Sequence, residues 1–182
     1  FPDNPILLPS SKNNWEEKAA FNGCVVKEKD KFHLVYRAQS KAGVSSIGYA
    51  ESSDGIHFKD NRQFIKPEFD WELYGCEAPR VTKQGSKYFI FYTALSSYPF
   101  SADCIKVGLA ITSDFKKIEE KHPITPFNAK AMTLFPDRIN GKIAAILSAN
   151  TDIPPARTSI AYFDRESDIW SKDYWNNWYA HL

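Results

Sequence analysis

Three stretches of this chain repeat one pattern at a near-constant interval. Lys31–Ala38 (KFHLVYRA), Lys87–Ala94 (KYFIFYTA) and Lys142–Ala149 (KIAAILSA) each set a lysine ahead of an apolar run that ends in alanine, and the lysines stand 56 and 55 residues apart. The runs are rich in aromatic and branched residues and are bounded by turn formers: Lys29-Asp30, Gln84-Gly85-Ser86 and Asn140-Gly141. These are signals of buried strands, and Asn-Gly is the strongest short-range hairpin signal in the chain. A second strand follows in each unit, around Ser46–Ala50, Lys106–Ala110 and Ser159–Tyr162. Each is followed by a turn carrying Asp54, Asp114 or Asp168, and short aspartates in such turns bond the backbone amide two residues on.

A repeating unit of about 55 residues with several short strands has the size of a β-propeller blade. Helix signals are few: one turn over Trp15–Ala20, and a short helix starting near Asp173. The sequence therefore predicts an all-β fold in which residues 1–182 form a single, partial β-propeller, with approximate blades at 20–60, 75–120 and 130–175. Propellers close rings of four to eight blades, and three blades leave open sheet edges that favour association between copies. The chain also begins at Phe1, with no basic stretch leading into an apolar segment, so material ahead of it is expected to be missing.

Charge narrows the partners. Lys and Arg total 23 against 22 Asp and Glu, without long blocks of one sign, which argues against a nucleic-acid or anionic-membrane surface. No apolar run approaches the ~18 residues of a membrane span. Cys24, Cys76 and Cys104 form no C-x-x-C pair and read as small buried hydrophobes of a reducing, cytoplasmic compartment. The four histidines share no metal-ligand spacing, and phosphate-cradling or dinucleotide motifs are missing, so no metal and no organic cofactor is expected. The C-terminal aromatics Trp170, Tyr174, Trp175, Trp178 and Tyr179 read first as core, whereas Trp15 and Trp71 suit either rim packing or stacking on a ligand.

The segments ahead of the three runs are Ala20-Phe-Asn-Gly-Cys24, Gly75-Cys-Glu-Ala-Pro-Arg-Val81 and Lys130-Ala-Met-Thr-Leu-Phe-Pro136. Together with Asn4–Leu7, Tyr36-Arg37-Ala38, the Ser53-Asp54-Gly55 turn and Tyr92-Thr93-Ala94, they resemble glycoside hydrolase family 130. That family comprises β-mannoside phosphorylases and β-1,2-mannosidases built as five-bladed propellers. The resemblance implies about three of five blades, an oligosaccharide substrate in an axial funnel, and inorganic phosphate as the co-substrate of the phosphorylases. It places Asn22, Arg37, Glu77, Arg80 and Lys130 on the substrate. In the family a Glu-Asp-Pro-Arg segment supplies the general acid, but here the segment reads Glu77-Ala78-Pro79-Arg80, and alanine has no proton to give.

Three accounts of Ala78 stand open: an introduced substitution, a protein that has become a binder, or a nearby carboxylate (Glu77, Asp70 or Glu72) acting instead. On a regular strand Glu77 would face away from residue 78, which ranks it last. Where the phosphorylases carry His-Arg, this chain has Ser148-Ala149, which favours hydrolysis over phosphorolysis. Asp152 is the remaining carboxylate that could serve as a base toward water. The expected activity is inverting cleavage of β-mannosides, with the acid position vacant; the alternative is a non-catalytic sugar-binding propeller.

Overall fold

The computed structural model describes residues 4–182; Phe1, where the sequence begins, lies outside them. The three predicted runs are strands, each the second member of an antiparallel meander. The first meander is β1 (Ala19–Glu28), β2 (Lys31–Gln39), β3 (Ser45–Ser52) and β4 (Lys59–Ile65). The second is β5 (Gly75–Gln84), β6 (Lys87–Leu95), β7 (Ile105–Thr112) and β8 (Glu120–Pro123). The third is β9 (Ala129–Leu134), β10 (Ile143–Ala149) and β11 (Arg157–Phe163), followed by helix α1 (Lys172–Ala180). One parallel pairing, Ser45 with Gly75, links the first two meanders, while the third forms its own sheet.

The continuous apolar run of β6 has a direct cause: both of its faces are covered. Tyr88, Ile90 and Tyr92 pack toward the first meander with Val35, Ile47 and Tyr49, whereas Phe89 and Phe91 pack toward the third with Met132, Leu134 and Trp175. Successive strand residues face opposite sides, so a strand buried twice over cannot alternate with polar residues. The leading strands lie side by side. The Val81 amide donates to Cys24 Sγ at 3.4 Å, Thr82 Oγ1 lies 3.0 Å from Thr133 Oγ1, and Gln84 Nε2 donates to the Phe135 carbonyl at 2.7 Å.

A repeated brace fixes the segment before each of the first two leading strands. Glu16 and Glu72 are wholly buried. Tyr36 OH donates to Glu16 Oε2 at 2.7 Å, and Tyr92 OH donates to Glu72 Oε2 at 2.5 Å. Trp15 and Trp71 lie against these tyrosines with ring centroids 6.3 Å apart in both pairs. Directly across the ladder from each tyrosine stands a glycine, Gly48 or Gly108. A Cβ there would come within 2.3 Å of the Tyr36 ring or 2.7 Å of the Tyr92 ring. Burial and the neighbouring carboxylate hold both phenols far above their usual pKa. Both stay protonated donors. Glu72 is further held by Lys121 and by the Cys76 thiol, which donates at 3.4 Å.

Some expectations shift. Residues 15–18 bend without forming a helix, and Ala19 and Ala20 already belong to β1. Asp54 accepts from the Ile56 and His57 amides and Asp114 from that of Lys116, as read from sequence. Asp168 instead accepts from the Arg165 amide behind it, at the start of a short 3-10 turn over Glu166–Trp170. Of the C-terminal aromatics only Trp175 is fully buried, packing edge-on against Phe163 and Phe127; Trp170, Tyr174 and Trp178 are half-buried against that core, and Tyr179 is exposed at its edge. No helix among the described residues is long and apolar enough to cross a membrane.

Gly108→Ala should destabilise the protein by about 1–3 kcal/mol, because the added methyl overlaps the Tyr92 and Trp71 rings. Tyr92→Phe should cost about 1–3 kcal/mol by leaving buried Glu72 short of a donor. Urea midpoints report both.

Candidate functional site

The leading strands carry the segments that the sequence singles out, and each is interrupted by a bulge at the same place. The ladder slips between Phe21 and Cys24 in β1 and between Glu77 and Arg80 in β5. Between β9 and β10 it slips between the pairs Thr133–Ile146 and Lys130–Ser148. In register, Asn22, Ala78 and Ala131 are therefore equivalent, and all three have left-handed backbones with φ of 50°, 47° and 54°. Such a bulge re-aims its side chain. The strict alternation that set Glu77 opposite to residue 78 does not hold here, because the backbone turns between them.

These bulges gather at one end of the strands, the end at which β2, β6 and β10 finish. Arg37, Thr93 and Ser148 stand directly across from Phe21, Glu77 and Lys130. Arg37 of the first meander reaches Glu77 of the second in an ion pair. Ser45 ties the two together, accepting from Arg37 Nε at 3.0 Å and donating to Glu77 Oε1 at 3.0 Å. The Phe21 ring lies 4.9 Å from the Arg37 guanidinium. Arg37 and Glu77 are each about four-fifths covered, so the pairing is shielded from water.

The third meander has a cluster of its own. Lys130 Nζ donates to Asp152 Oδ1 at 2.8 Å. Asp152 Oδ2 accepts from Asn128 Nδ2 at 2.9 Å and from Thr151 Oγ1 at 2.8 Å. Burial tends to raise the Asp152 pKa, but the hydrogen bonds from Lys130, Asn128 and Thr151 outweigh it and hold the carboxyl below its ordinary value. Asn128 is itself buried and also donates to the carbonyls of Ala102 and Ile105 in the second meander. Its Oδ1 accepts from the Asp152 amide at 3.0 Å.

The predicted residues thus fall into two pairs, Arg37 with Glu77 and Lys130 with Asp152. No hydrogen bond or ion pair joins the pairs among the described residues, and Arg80 is exposed, its Nη1 on the Pro79 carbonyl at 2.9 Å. Asn22 is exposed at the first bulge. Of the carboxylates considered near Ala78, Glu72 is consumed by its brace and Glu77 by Arg37 and Ser45, while Asp70 lies exposed on the loop before β5. Sequence reasoning missed Ser45 and Asn128, which carry no pattern of their own. It also missed Glu16 and weighed Glu72 only as a stand-in acid, although Trp15-Glu16 and Trp71-Glu72 recur at the 56-residue interval that separates Lys31 from Lys87. No group of three or more His, Cys, Asp or Glu side chains among the described residues could hold a metal ion.

Two outcomes follow. Ala78→Asn should stabilise the fold by roughly 0.5–1 kcal/mol, since asparagine tolerates the left-handed backbone better than alanine. Asp152→Asn should cost about 1 kcal/mol at neutral pH. A depressed folded pKa contributes stability that is present above the unfolded value and fades as pH falls through the folded one, so the deficit should shrink in acid. Denaturation across pH measures both.

The family profile described as beta-1,4-mannooligosaccharide phosphorylase, glycoside hydrolase family 130, matches residues 6–161. A 1,2-beta-oligomannan phosphorylase from Thermoanaerobacter sp. (strain X514) is 32% identical over 98% of this chain and 58% of its own length. A beta-1,2-mannobiose phosphorylase from the same organism is 34% identical over 77% of this chain and 50% of its own. The chain thus spans about half the length of these curated relatives. Among solved structures, a beta-1,2-mannobiose phosphorylase from Listeria innocua superposes with a TM-score of 0.74 at 23% identity, covering 90% of this chain and 62% of that one. The profile match over most of the chain, together with these relatives, shows that the chain belongs to glycoside hydrolase family 130.

Proposed function

We propose that the three meanders are three blades of a five-bladed propeller, and that the end holding Asn22, Ala78 and Ala131 is its sugar-binding funnel. The substrate is a β-linked mannoside oligosaccharide, held by Asn22, Arg37, Glu77, Arg80 and Lys130. Inverting cleavage requires an acid on the leaving oxygen and a base on the attacking water. Position 78 is the acid position, and its methyl leaves the chain without that acid; Asp152 is the candidate base.

The observation that carries this reading is the bulge at Ala78. A left-handed backbone there is costly for alanine and well tolerated by aspartate. The site therefore keeps the geometry that suits the family's carboxylate while lacking it. Hydrolysis is favoured over phosphorolysis because the two best-placed cations are already neutralised, Arg37 by Glu77 and Lys130 by Asp152. Ser148, across from Lys130, adds only a hydroxyl. A phosphate dianion needs free, convergent donors.

A second reading is a non-catalytic sugar-binding propeller, and the same vacancy favours it: Glu72 and Glu77 are both committed to structural contacts. The full-length protein carrying Ala78→Asp separates the two. With β-1,2- and β-1,4-mannobiose, restoring a general acid should raise turnover by about 10²–10⁴-fold, with little dependence on added phosphate. Mannobiose binding by calorimetry without any gain in turnover would assign the protein to the binders. A gain that appears only with phosphate would reverse the preference for water.

A further inference from the structure

The loop between β6 and β7 presents two aromatic rings to solvent at the same end of the strands as the candidate site. Tyr98 is 71% and Phe100 51% exposed, and the rings meet edge to face with centroids 5.3 Å apart. The loop beneath them is locked at its base. The Ser96 amide donates to the Cys104 carbonyl at 3.0 Å, and the Cys104 amide donates to the Ser101 carbonyl at 3.1 Å. The Ser101 amide donates to Cys104 Sγ at 3.2 Å. Cys104, on which these bonds converge, is buried with Leu95 and Ile105. Exposed aromatic surface on a fixed support is costly to leave in water and inexpensive to use, since little ordering remains to be done on binding.

Two features say what covers it. The stretch from Ser96 to Ala102 has no charged residue and offers the hydroxyls of Ser96, Ser97 and Ser101 beside the rings. This mixture of flat apolar surface and neutral hydroxyls matches the faces and edges of a pyranose. The loop is also wired to the site: Asn128 Nδ2 donates to the Ala102 carbonyl at 3.1 Å and to Asp152 Oδ2 at 2.9 Å. Tyr98 follows Thr93, the cross-strand partner of Glu77, by five residues, a reach of at most about 17 Å along the chain. That upper bound keeps the rings within reach of a chain longer than the sugar beside Ala78.

We infer that Tyr98 and Phe100 form a fixed aromatic platform for a distal sugar ring of an oligosaccharide whose other end occupies the site beside Ala78. The inference rests on the mannoside reading of that site and adds a preference for longer chains. It is tested on the full-length protein by calorimetry with β-1,2-mannobiose and β-1,2-mannotetraose, using Tyr98→Ala/Phe100→Ala and Tyr98→Phe. The double variant should bind tetraose about tenfold more weakly, the worth of one good stacking contact, with biose affinity unchanged. Tyr98→Phe, which keeps the ring, should bind both as the unmodified protein does.

Equal weakening for both sugars, or no weakening for either, overturns the platform while leaving the mannoside site in place. An oligomer that the double variant dissociates, with tetraose affinity intact, overturns it in favour of a contact between copies. If the unmodified protein binds neither sugar, the mannoside reading itself fails and the platform with it.

Discussion

The candidate site rests on two buried carboxylates, one ahead of each of the first two leading strands. Glu16 and Glu72 are buried completely, and each accepts a hydrogen bond from a tyrosine whose own pKa is forced upward by burial. A carboxylate taken out of water is tolerable only with its donors in place, so each glutamate fixes the path of the segment carrying it. Six residues later in both units stands the left-handed bulge, Asn22 or Ala78. The glycine across from each tyrosine completes the arrangement by giving the ring its space. Carboxylate, phenol and glycine come from three different elements, so the brace ties the loop before a blade to that blade's middle strands.

The bulge then decides what the site can hold. A regular strand would keep its side chains in strict alternation, half of them packed against the neighbouring meander. Turning one residue of each leading strand into the left-handed region frees it from the ladder with the strand that follows. Around these freed positions the charges close on one another rather than standing open: Arg37 on Glu77 through Ser45, and Lys130 on Asp152. On the mannoside reading proposed above, a site that neutralises its own cations would offer a phosphate little and sugar hydroxyls several hydrogen-bonding groups.

The second strand of each unit and the third strands of the first two were legible in the sequence because burial on both faces leaves long apolar runs, as in Lys87–Leu95. The leading strands were not. Their bulges put Asn22-Gly23 and Ala78-Pro79 where a strand signal should be continuous, and both pairs read locally as turns. The same irregularity made the alternation argument about Glu77 fail, since it assumed an extended backbone. Arg37, Glu77, Lys130 and Asp152 were legible by resemblance and residue chemistry, but their pairing was not, because each pair brings together residues far apart in sequence. Ser45 and Asn128 had no signal at all: a lone serine and a lone asparagine become hubs only through what the fold sets around them.

The third unit shows what the brace is for by lacking it. At the places of the tyrosine and its facing glycine it has Leu147 and Ser159, which pair across β10 and β11. Apolar packing takes over there: Leu147 joins the cluster that includes Phe163, Ile169 and Trp175. The first two meanders also end in a fourth strand, whereas β11 is met by helix α1. Tyr174 OH donates to the Tyr162 carbonyl at 2.8 Å and Trp178 Nε1 to the Ile160 carbonyl at 3.4 Å. These are carbonyls of an edge strand, so the helix side chains occupy groups that a further strand would otherwise pair with. The open edge expected from three unclosed blades is thus partly masked at β11. Any strand completing this blade, from the same chain or from another copy, must first displace those two bonds.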